Sequence, residues 1–351
     1  MTVSLDSIPR FTATEALAHI HAHYGITGRV SALPSERDQN FMIADPRGRK
    51  FVLKIANRGD APELLDFQHQ AMRRVAGSLG DCRVQEIVPS STGADLTMIL
   101  DAVAGARHCA RVMTWIEGEV LAKCVTRTGA LFESIGASLA TIDAALGGFA
   151  HPAMHRKLQW DLRYAGLARE HAELLPRARR LRVEQVLAGW ERIEWAALRH
   201  GVIHGDANDY NVLIEGGRMT GLLDFGDMVH SAVVCDLAIG LAYAMLHVRE
   251  PWAAAVPLIR AYHRRHPLTE PEQRAVFPLV LARLSASVCY AAHNRARNPD
   301  DSYQVVTEAA AWELLERLES CSPEAAAAAV QEACASVATP YAGAAEVPRS
   351  S

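Results

Sequence analysis

Residues 202–231, "VIHGDANDYNVLIEGGRMTGLLDFGDMVHS", constrain this chain more than any other stretch. "NVLI" and "MTGLL" have strand character, and Gly216-Gly217 between them suits a two-residue hairpin turn. In an antiparallel hairpin the start of the first strand lies beside the end of the second. Asn211 starts the first strand and Asp224 ends the second, so the two should meet at the open end, with Asp206 on the loop just before. Two carboxylates and an amide oxygen then converge. That is a hard, oxygen-only cluster of the kind Mg²⁺ prefers, with phosphates and water completing the shell. Alone, "DFGD" could be a plain turn, and "HGD" a loop whose histidine caps a backbone group. The combination carries the reading: His-x-Asp-x-x-x-x-Asn, a hairpin, then Asp-Phe-Gly placed 18 residues after the first Asp.

The rest of the chain arranges itself around this island. "GRVSALPSE", "QNFMIAD" and "RKFVLKIAN" are strand-like, and "DPRG" joins the last two as a turn. "APELLDFQHQAMRRV" has Pro62 near its start and apolar Leu64, Leu65, Met72 and Val75, a helix with one buried face. "ADLTMILDAV" and "HCARVMTWI" return to strand character. After Glu117–Glu119 the texture turns helical: Leu131, Ile135, Leu139, Ile142 and Leu146 recur at helical spacing. Ser322 and Pro323 open a last, alanine-rich helix. The expected class is α+β: a small antiparallel β-sheet lobe over 1–113, a connector at 114–118, and a larger, mainly helical lobe over 119–338. Residues 339–351 read as a disordered tail.

Composition excludes several function classes. At 351 residues, half of them apolar and 22% charged, the chain can bury a two-lobed core. A net charge of −4 and a pI near 6.4 give no concentrated basic face for nucleic acid. The run Arg177 to Arg182 is short and fits the wet face of a helix. Seven scattered cysteines without a CxxC pair suit a reducing compartment without structural zinc. No apolar run approaches the roughly 20 residues of a membrane span, and no leader segment is evident. The expectation is a soluble, cytoplasmic protein acting on a small molecule, with no nucleic-acid or membrane partner. "GASLA" (136–140) nearly matches a nucleophile-elbow pattern, but it lies on an amphipathic helix and lacks the last glycine.

The island resembles the kinase catalytic loop and its metal-binding Asp-Phe-Gly segment. Gly205 stands where protein kinases carry Arg, and no "APE" segment follows. The form "HGDxxxxN…DFGD" is similar instead to the aminoglycoside phosphotransferase-like family of small-molecule kinases. "HGDANDYNVLI", "GLLDFGDMVHS", "CDLAIGLAYAML" and the later "NP…SYQ" with "AAWELL" look most like its hydroxylysine kinase branch. The resemblance covers most of residues 25–320. It implies a protein-kinase-like fold, a Mg²⁺ cofactor with ATP or GTP as phosphate donor, and transfer to a hydroxyl of a small amino compound, hydroxylysine first. An aminoglycoside or another amino alcohol is the alternative acceptor. A catalytically silent nucleotide-binding regulatory module is the alternative of another class; intact Asp206, Asn211 and Asp224 argue against it.

Roles then follow the matching positions. Asp206 would accept or orient the substrate hydroxyl proton, and Asn211 and Asp224 would hold Mg²⁺ against the phosphates. His204, Asp227 and Asp236 would support the loop, although Asp236 could equally cap a helix. A kinase reading also needs a lysine on a small-lobe strand, which "FVLKI" supplies as Lys54. Period-2 alternation puts Phe51, Leu53 and Ile55 on one face and Val52 and Lys54 on the other. A lysine in so apolar a strand needs a counter-charge; Glu63, Asp66 and Gln68 on the next helix are the candidates, with Gln68 at the usual Glu position. The phosphate lid would be the turn in "LPSERDQNF", meeting phosphate through backbone N–H groups and Ser35, with Asn40 fixing the turn. Main-chain groups around Thr114 and Ile116 would read the base. For the acceptor, Trp160, Asp161 and Arg163 form one compact segment that could match an amine and a carboxylate; His230, Asn294 and Tyr303 are further candidates. Asp209 gains no role and is expected to be solvated.

Overall fold

A computed structural model describes residues 8–35, 37–101, 105–297 and 307–337. Residues 339–351, expected as a tail, and Tyr303 lie outside the described residues.

The chain opens with a helix that the strand-first reading passed over, α1 (Ala13–Tyr24). Its signal is local. The Thr12 side chain accepts the Glu15 N–H, and the Glu15 carboxylate accepts the Thr12 N–H at 2.7 Å. This reciprocal cap satisfies two of the helix's orphan donors.

Strands β1 (Arg29–Leu33), β2 (Gln39–Ala44) and β3 (Lys50–Ile55) follow as an antiparallel set. Helix α2 (Pro62–Ala76), the short β4 (Arg83–Val84) and β5 (Ile87–Val88), then β6 (Thr97–Asp101) and β7 (Ala106–Thr114) complete this part. The sheet order is β1-β2-β3-β7-β5, with β6 also paired to β7. The alternation of β3 separates two environments. Phe51, Leu53 and Ile55 pack with Phe11, Ile20, Phe41 and Ile43 on the α1 side. Val52 packs with Phe67, Ala71 and Met72 of α2, and Lys54 shares that face.

The second part contains β8 (Glu119–Val120), α3 (Gly129–Leu146), α4 (Arg169–Ala172), α5 (Arg177–Trp190), β9 (His200–Ile203), β10 (Val212–Glu215), β11 (Arg218–Leu222), β12 (Val229–Ala232), α6 (Val234–Ala244), α7 (Pro251–Arg265), α8 (Glu270–Arg297), α9 (Glu308–Leu318) and α10 (Pro323–Ala335). All five apolar positions expected on α3 are 1% exposed or less. The 177–182 basic run lies on α5, which buries Val183 and Leu187. β4, from before the connector, runs parallel to β11 and joins the sheet β4-β11-β10-β8, which ties the two parts together. β9 pairs antiparallel with β12.

Two helices, α3 and α8, prove long and apolar enough to cross a membrane, where the sequence reading found no such run. The apolar window of α8 is 89% buried within the protein, so its apolar surface goes to the core.

Candidate active site

The hairpin forms as its sequence requires. Glu215 pairs with Arg218 around Gly216 and Gly217, whose φ values of 58° and 73° are those of a primed turn. At the open end the Leu223 N–H donates to the Asn211 carbonyl at 2.9 Å, which sets Asn211 beside the segment that becomes Asp224.

The loop before the hairpin is held from behind. Asp236, in the first turn of α6, accepts the N–H groups of His204 and Gly205, each at 2.7 Å. Of the two roles open to it, Asp236 thus takes loop support. Gly205 has φ +80°, and a Cβ there would lie 2.7 Å from the Asp227 carbonyl oxygen, so no larger residue fits. His204 is fully buried. Its Nε2 lies 3.1 Å from the Leu223 carbonyl and its Nδ1 3.2 Å from the Asp206 N–H, which assigns the Nε2–H tautomer and a scaffold role.

These supports fix Asp206. Its Oδ2 accepts from Asn208 Nδ2 at 2.8 Å and from Asn211 Nδ2 at 2.9 Å. Its Oδ1 accepts from Arg283 Nη2 at 2.6 Å. Burial raises the Asp206 carboxyl's pKa, and the Arg283 charge opposes that rise. Asn211 gives its side-chain amide nitrogen to Asp206, so its Oδ1 is the atom that would meet a cation.

Asp224 ends the hairpin in a left-handed backbone conformation, φ 55°, which is costly outside glycine and clusters at functional sites. Its Oδ1 accepts from Lys54 Nζ at 2.8 Å and from the Gly226 N–H at 3.0 Å. Burial pushes this carboxyl up, but the charge and hydrogen bond of Lys54 outweigh it and hold Asp224 well below the usual range. Arg156 braces the same loop, donating to the Met228 carbonyl at 2.9 Å and to the Gly226 carbonyl. Asp227 faces Arg37 at 3.8 Å.

The counter-charge of Lys54 differs from every candidate on α2. Besides Asp224 it meets Asp38, at 3.4 Å, from the β1–β2 loop. Asp66 instead bonds Gln70 and His151. Gln68 accepts from Arg111 Nη2 at 2.7 Å. Arg111 is the cross-strand neighbour of Lys54, and with a cation already on the sheet α2 supplies a neutral acceptor there. Lys54, Arg111 and Arg37 share a cavity of about 100 Å³ with Asp38, Asp60, Asp206, Asp224 and Asp227. Ser35 also lines it, whereas Asn40 stays on β2 with a buried, unpartnered Oδ1. Asp206 is already paired with Arg283, and the carboxylates that face Lys54, Arg37 and Arg111 across the cavity offer hard oxygen ligands of the kind a divalent cation takes beside Asp224. Among the described residues no three carboxylate, imidazole or thiolate groups form a closed metal cage. Mg²⁺ needs none, since it keeps waters and shares phosphate oxygens.

Other expected residues already meet protein partners. The Thr114 N–H donates to the Glu86 carbonyl at 2.9 Å, so it is not free to read a base, and its carbonyl accepts from Gln85 at 3.2 Å. The Ile116 side chain is buried against the hairpin beside Gly221, so a contact with a base would fall to its main chain. Asp161 and Arg163 pair with each other at 2.7 Å, and Asp161 also accepts from Ser231 Oγ at 2.7 Å, so they are not two free ionic handles. His230 stacks with His200 at 6.1 Å and has the tilted His155 ring at 4.8 Å. Asp209 is 3% exposed rather than solvated, and burial pushes its carboxyl up to about 6. Trp160 does reach the site, with its ring 4.6 Å from the Arg283 guanidinium. Asn294 shares a face of α8 with Arg283 but lies about 16 Å further along the axis at 1.5 Å per residue. Arg283, Arg156, Arg111, Asp38 and Asn208 were not anticipated. Arg283 carried one signal, a charge inside the apolar run "VLARLSASVCY".

The phosphotransferase enzyme family matches residues 29–277. The hydroxylysine kinase of Mus musculus is 30% identical, over 88% of this chain and 90% of that protein. The hydroxylysine kinase of Xenopus laevis is 28% identical, over 90% of this chain and 92% of that one. Among solved structures, an amicoumacin kinase in complex with AMP-PNP, Ca²⁺ and Ami aligns at TM-score 0.68 and 15% identity, covering 89% of this chain and 95% of that one. A microcompartment-associated aminopropanol kinase aligns at TM-score 0.69 and 15% identity, covering 88% and 98%. At that identity the likeness is one of fold.

Proposed function

This chain belongs to the phosphotransferase enzyme family, and on that premise we propose that it transfers the γ-phosphoryl group of Mg-ATP or Mg-GTP to the hydroxyl of hydroxylysine. The observation that carries this is the convergence of Asp206, Asn211 and Asp224 with Lys54 bonded across to Asp224. The acceptor rests on four curated relatives that share the name hydroxylysine kinase, at 25–30% identity.

Asp206 receives the acceptor's hydroxyl proton and aims the oxygen, while Asn208 and Asn211 keep the carboxylate from turning. Lys54, released toward the phosphates, donates to their oxygens. Asn211 and Asp224 would hold Mg²⁺, which supplies charge neutralisation along the phosphate chain. Such transfer needs positioning and electrostatic stabilisation more than covalent chemistry. A reducing, cytoplasmic setting is supported by seven free cysteines.

The test is an acceptor panel of hydroxylysine, an aminoglycoside and simple amino alcohols, each with Mg-ATP and Mg-GTP, read by nucleoside diphosphate release. Hydroxylysine-dependent release is expected. Release with another member alone would move the acceptor assignment, and release with none would overturn hydroxylysine as the acceptor.

A further inference from the structure

Arg283 is 2% exposed and lies in the middle of α8, where an unpaired cation would be strongly unfavourable. Two aromatic rings pack against it. The guanidinium centre lies 4.6 Å from the Trp160 ring and 5.3 Å from the Tyr243 ring. Its Nε donates to the Tyr243 hydroxyl at 3.3 Å and its Nη1 to the Trp160 carbonyl at 3.4 Å. The cage is itself braced. Trp160 packs edge-on against Tyr290 at 4.7 Å, and the Tyr290 hydroxyl donates to the Gln159 carbonyl at 3.1 Å. The remaining nitrogen, Nη2, makes the 2.6 Å bond to Asp206 Oδ1.

An ionised carboxylate accepts about four hydrogen bonds, two on each oxygen. Both places on Asp206 Oδ2 are taken, by Asn208 and Asn211. One on Oδ1 is taken by Arg283. A single direction on Oδ1 remains. We propose that Arg283 is a positioning residue for the phosphoryl transfer, whose caged guanidinium turns Asp206 so that the open side of Oδ1 faces the acceptor hydroxyl. This rests on Asp206 as the group that takes the acceptor proton. In the step so arranged, the acceptor O–H bond breaks and its proton goes to Oδ1. The acceptor oxygen bonds to the γ-phosphorus, and the bridging P–O bond breaks with its electron pair leaving on the nucleoside diphosphate. The proton then passes from Asp206 to solvent.

The experiment compares wild type, Arg283→Met, Arg283→Lys, Asp206→Asn and the double variant Asp206→Asn/Arg283→Met. It measures kcat and both KM values with Mg-ATP and hydroxylysine as probes, and nucleotide binding by calorimetry as the check on folding. Arg283→Met is expected to lower kcat on the order of 10²-fold, as misplacement of a reacting group does, with both KM values unchanged. Arg283→Lys should fall between it and wild type. The double variant should be no slower than Asp206→Asn, since Arg283 acts through that carboxylate. Wild-type kcat in Arg283→Met, a rise confined to the hydroxylysine KM, or multiplied losses in the double variant would each overturn the proposal. If Arg283→Met fails to bind nucleotide, Arg283→Lys decides: reduced kcat at unchanged KM supports the role, and unchanged kcat contradicts it. Full turnover in Asp206→Asn is a different failure, that of the Asp206 assignment itself.

Discussion

Lys54 is the residue on which the two parts of the site depend. It leaves the small-lobe sheet buried, with Asp224 at 2.8 Å and Asp38 at 3.4 Å as its close acids among the described residues. Burial lowers its pKa, and those two carboxylates more than restore it, so it stays charged. Replacing it by Met removes a charged hydrogen bond worth about 1.5–3 kcal/mol, and kcat/KM for the nucleotide should fall about 10- to 150-fold. A steady-state titration of Mg-ATP checks this, and an unchanged value would separate Lys54 from the phosphates. His69 makes a second test. It is 1% exposed, and burial together with the Arg111 guanidinium 3.2 Å from its Nε2 lowers its pKa to about 3. An unfolded histidine titrates near 6.5. Between those values the unfolded chain binds a proton that the folded chain refuses. Stability therefore falls as pH drops below 6.5, at about 1.4 kcal/mol per pH unit from this group. His69→Gln, which keeps an acceptor for Arg111, should flatten denaturant-measured stability between pH 6.5 and 4.5 by that slope; an unaltered slope would mean that His69 is protonated in the fold. Residue chemistry of this kind is legible in sequence only when the partners are local. Asp206, Asn208 and Asn211 fall within six positions, whereas Arg283 reaches Asp206 from 77 residues away and Asp38 reaches Lys54 only through the curl of the β1–β2 loop.

Elements carry the site into place, and their periodicities were readable where one face is buried. α3 shows it best: its expected apolar positions are all in the core. What periodicity does not reveal is how close two elements approach. Gly136, inside the "GASLA" stretch, sits where a Cβ would be 2.1 Å from the Leu258 carbonyl oxygen on α7. That contact lets the α3 and α7 backbones touch and leaves Ser138 buried on a helix rather than exposed on an elbow. Gly136→Ala should destabilise the protein by about 1–3 kcal/mol or more through overpacking. Thermal melting would register it, and an unchanged melting temperature would show that the helices can part at no cost. α1 and β4 stayed hidden for different reasons. The capping box of α1 is present at Thr12 and Glu15 but precedes a histidine-rich stretch with a weak apolar stripe. β4 is two residues long and acquires strand form only by pairing with β11.

At the scale of the whole molecule, the acid-rich cavity lies where the two parts meet, and each contributes what the other lacks. The sheet brings Lys54 and Arg111, its β1–β2 loop brings Arg37 and Asp38, and the hairpin region brings Asp206, Asp224 and Asp227. The carboxylates would meet a divalent cation, and Lys54, Arg37 and Arg111 would meet the phosphates it accompanies. The hydroxyl that it meets is then set by Asp206, fixed from three sides by Asn208, Asn211 and Arg283. The most direct test follows the phosphorus atom itself. Wild-type protein and Asp206→Asn are incubated with Mg-ATP and hydroxylysine, and ³¹P NMR follows the products. Wild type should yield a new phosphomonoester signal on hydroxylysine in step with ADP, and Asp206→Asn should lose about 10²–10⁴-fold of that rate, the usual worth of a positioned proton acceptor. Only inorganic phosphate from wild type, or phosphohydroxylysine formed at an undiminished rate by Asp206→Asn, would contradict the account.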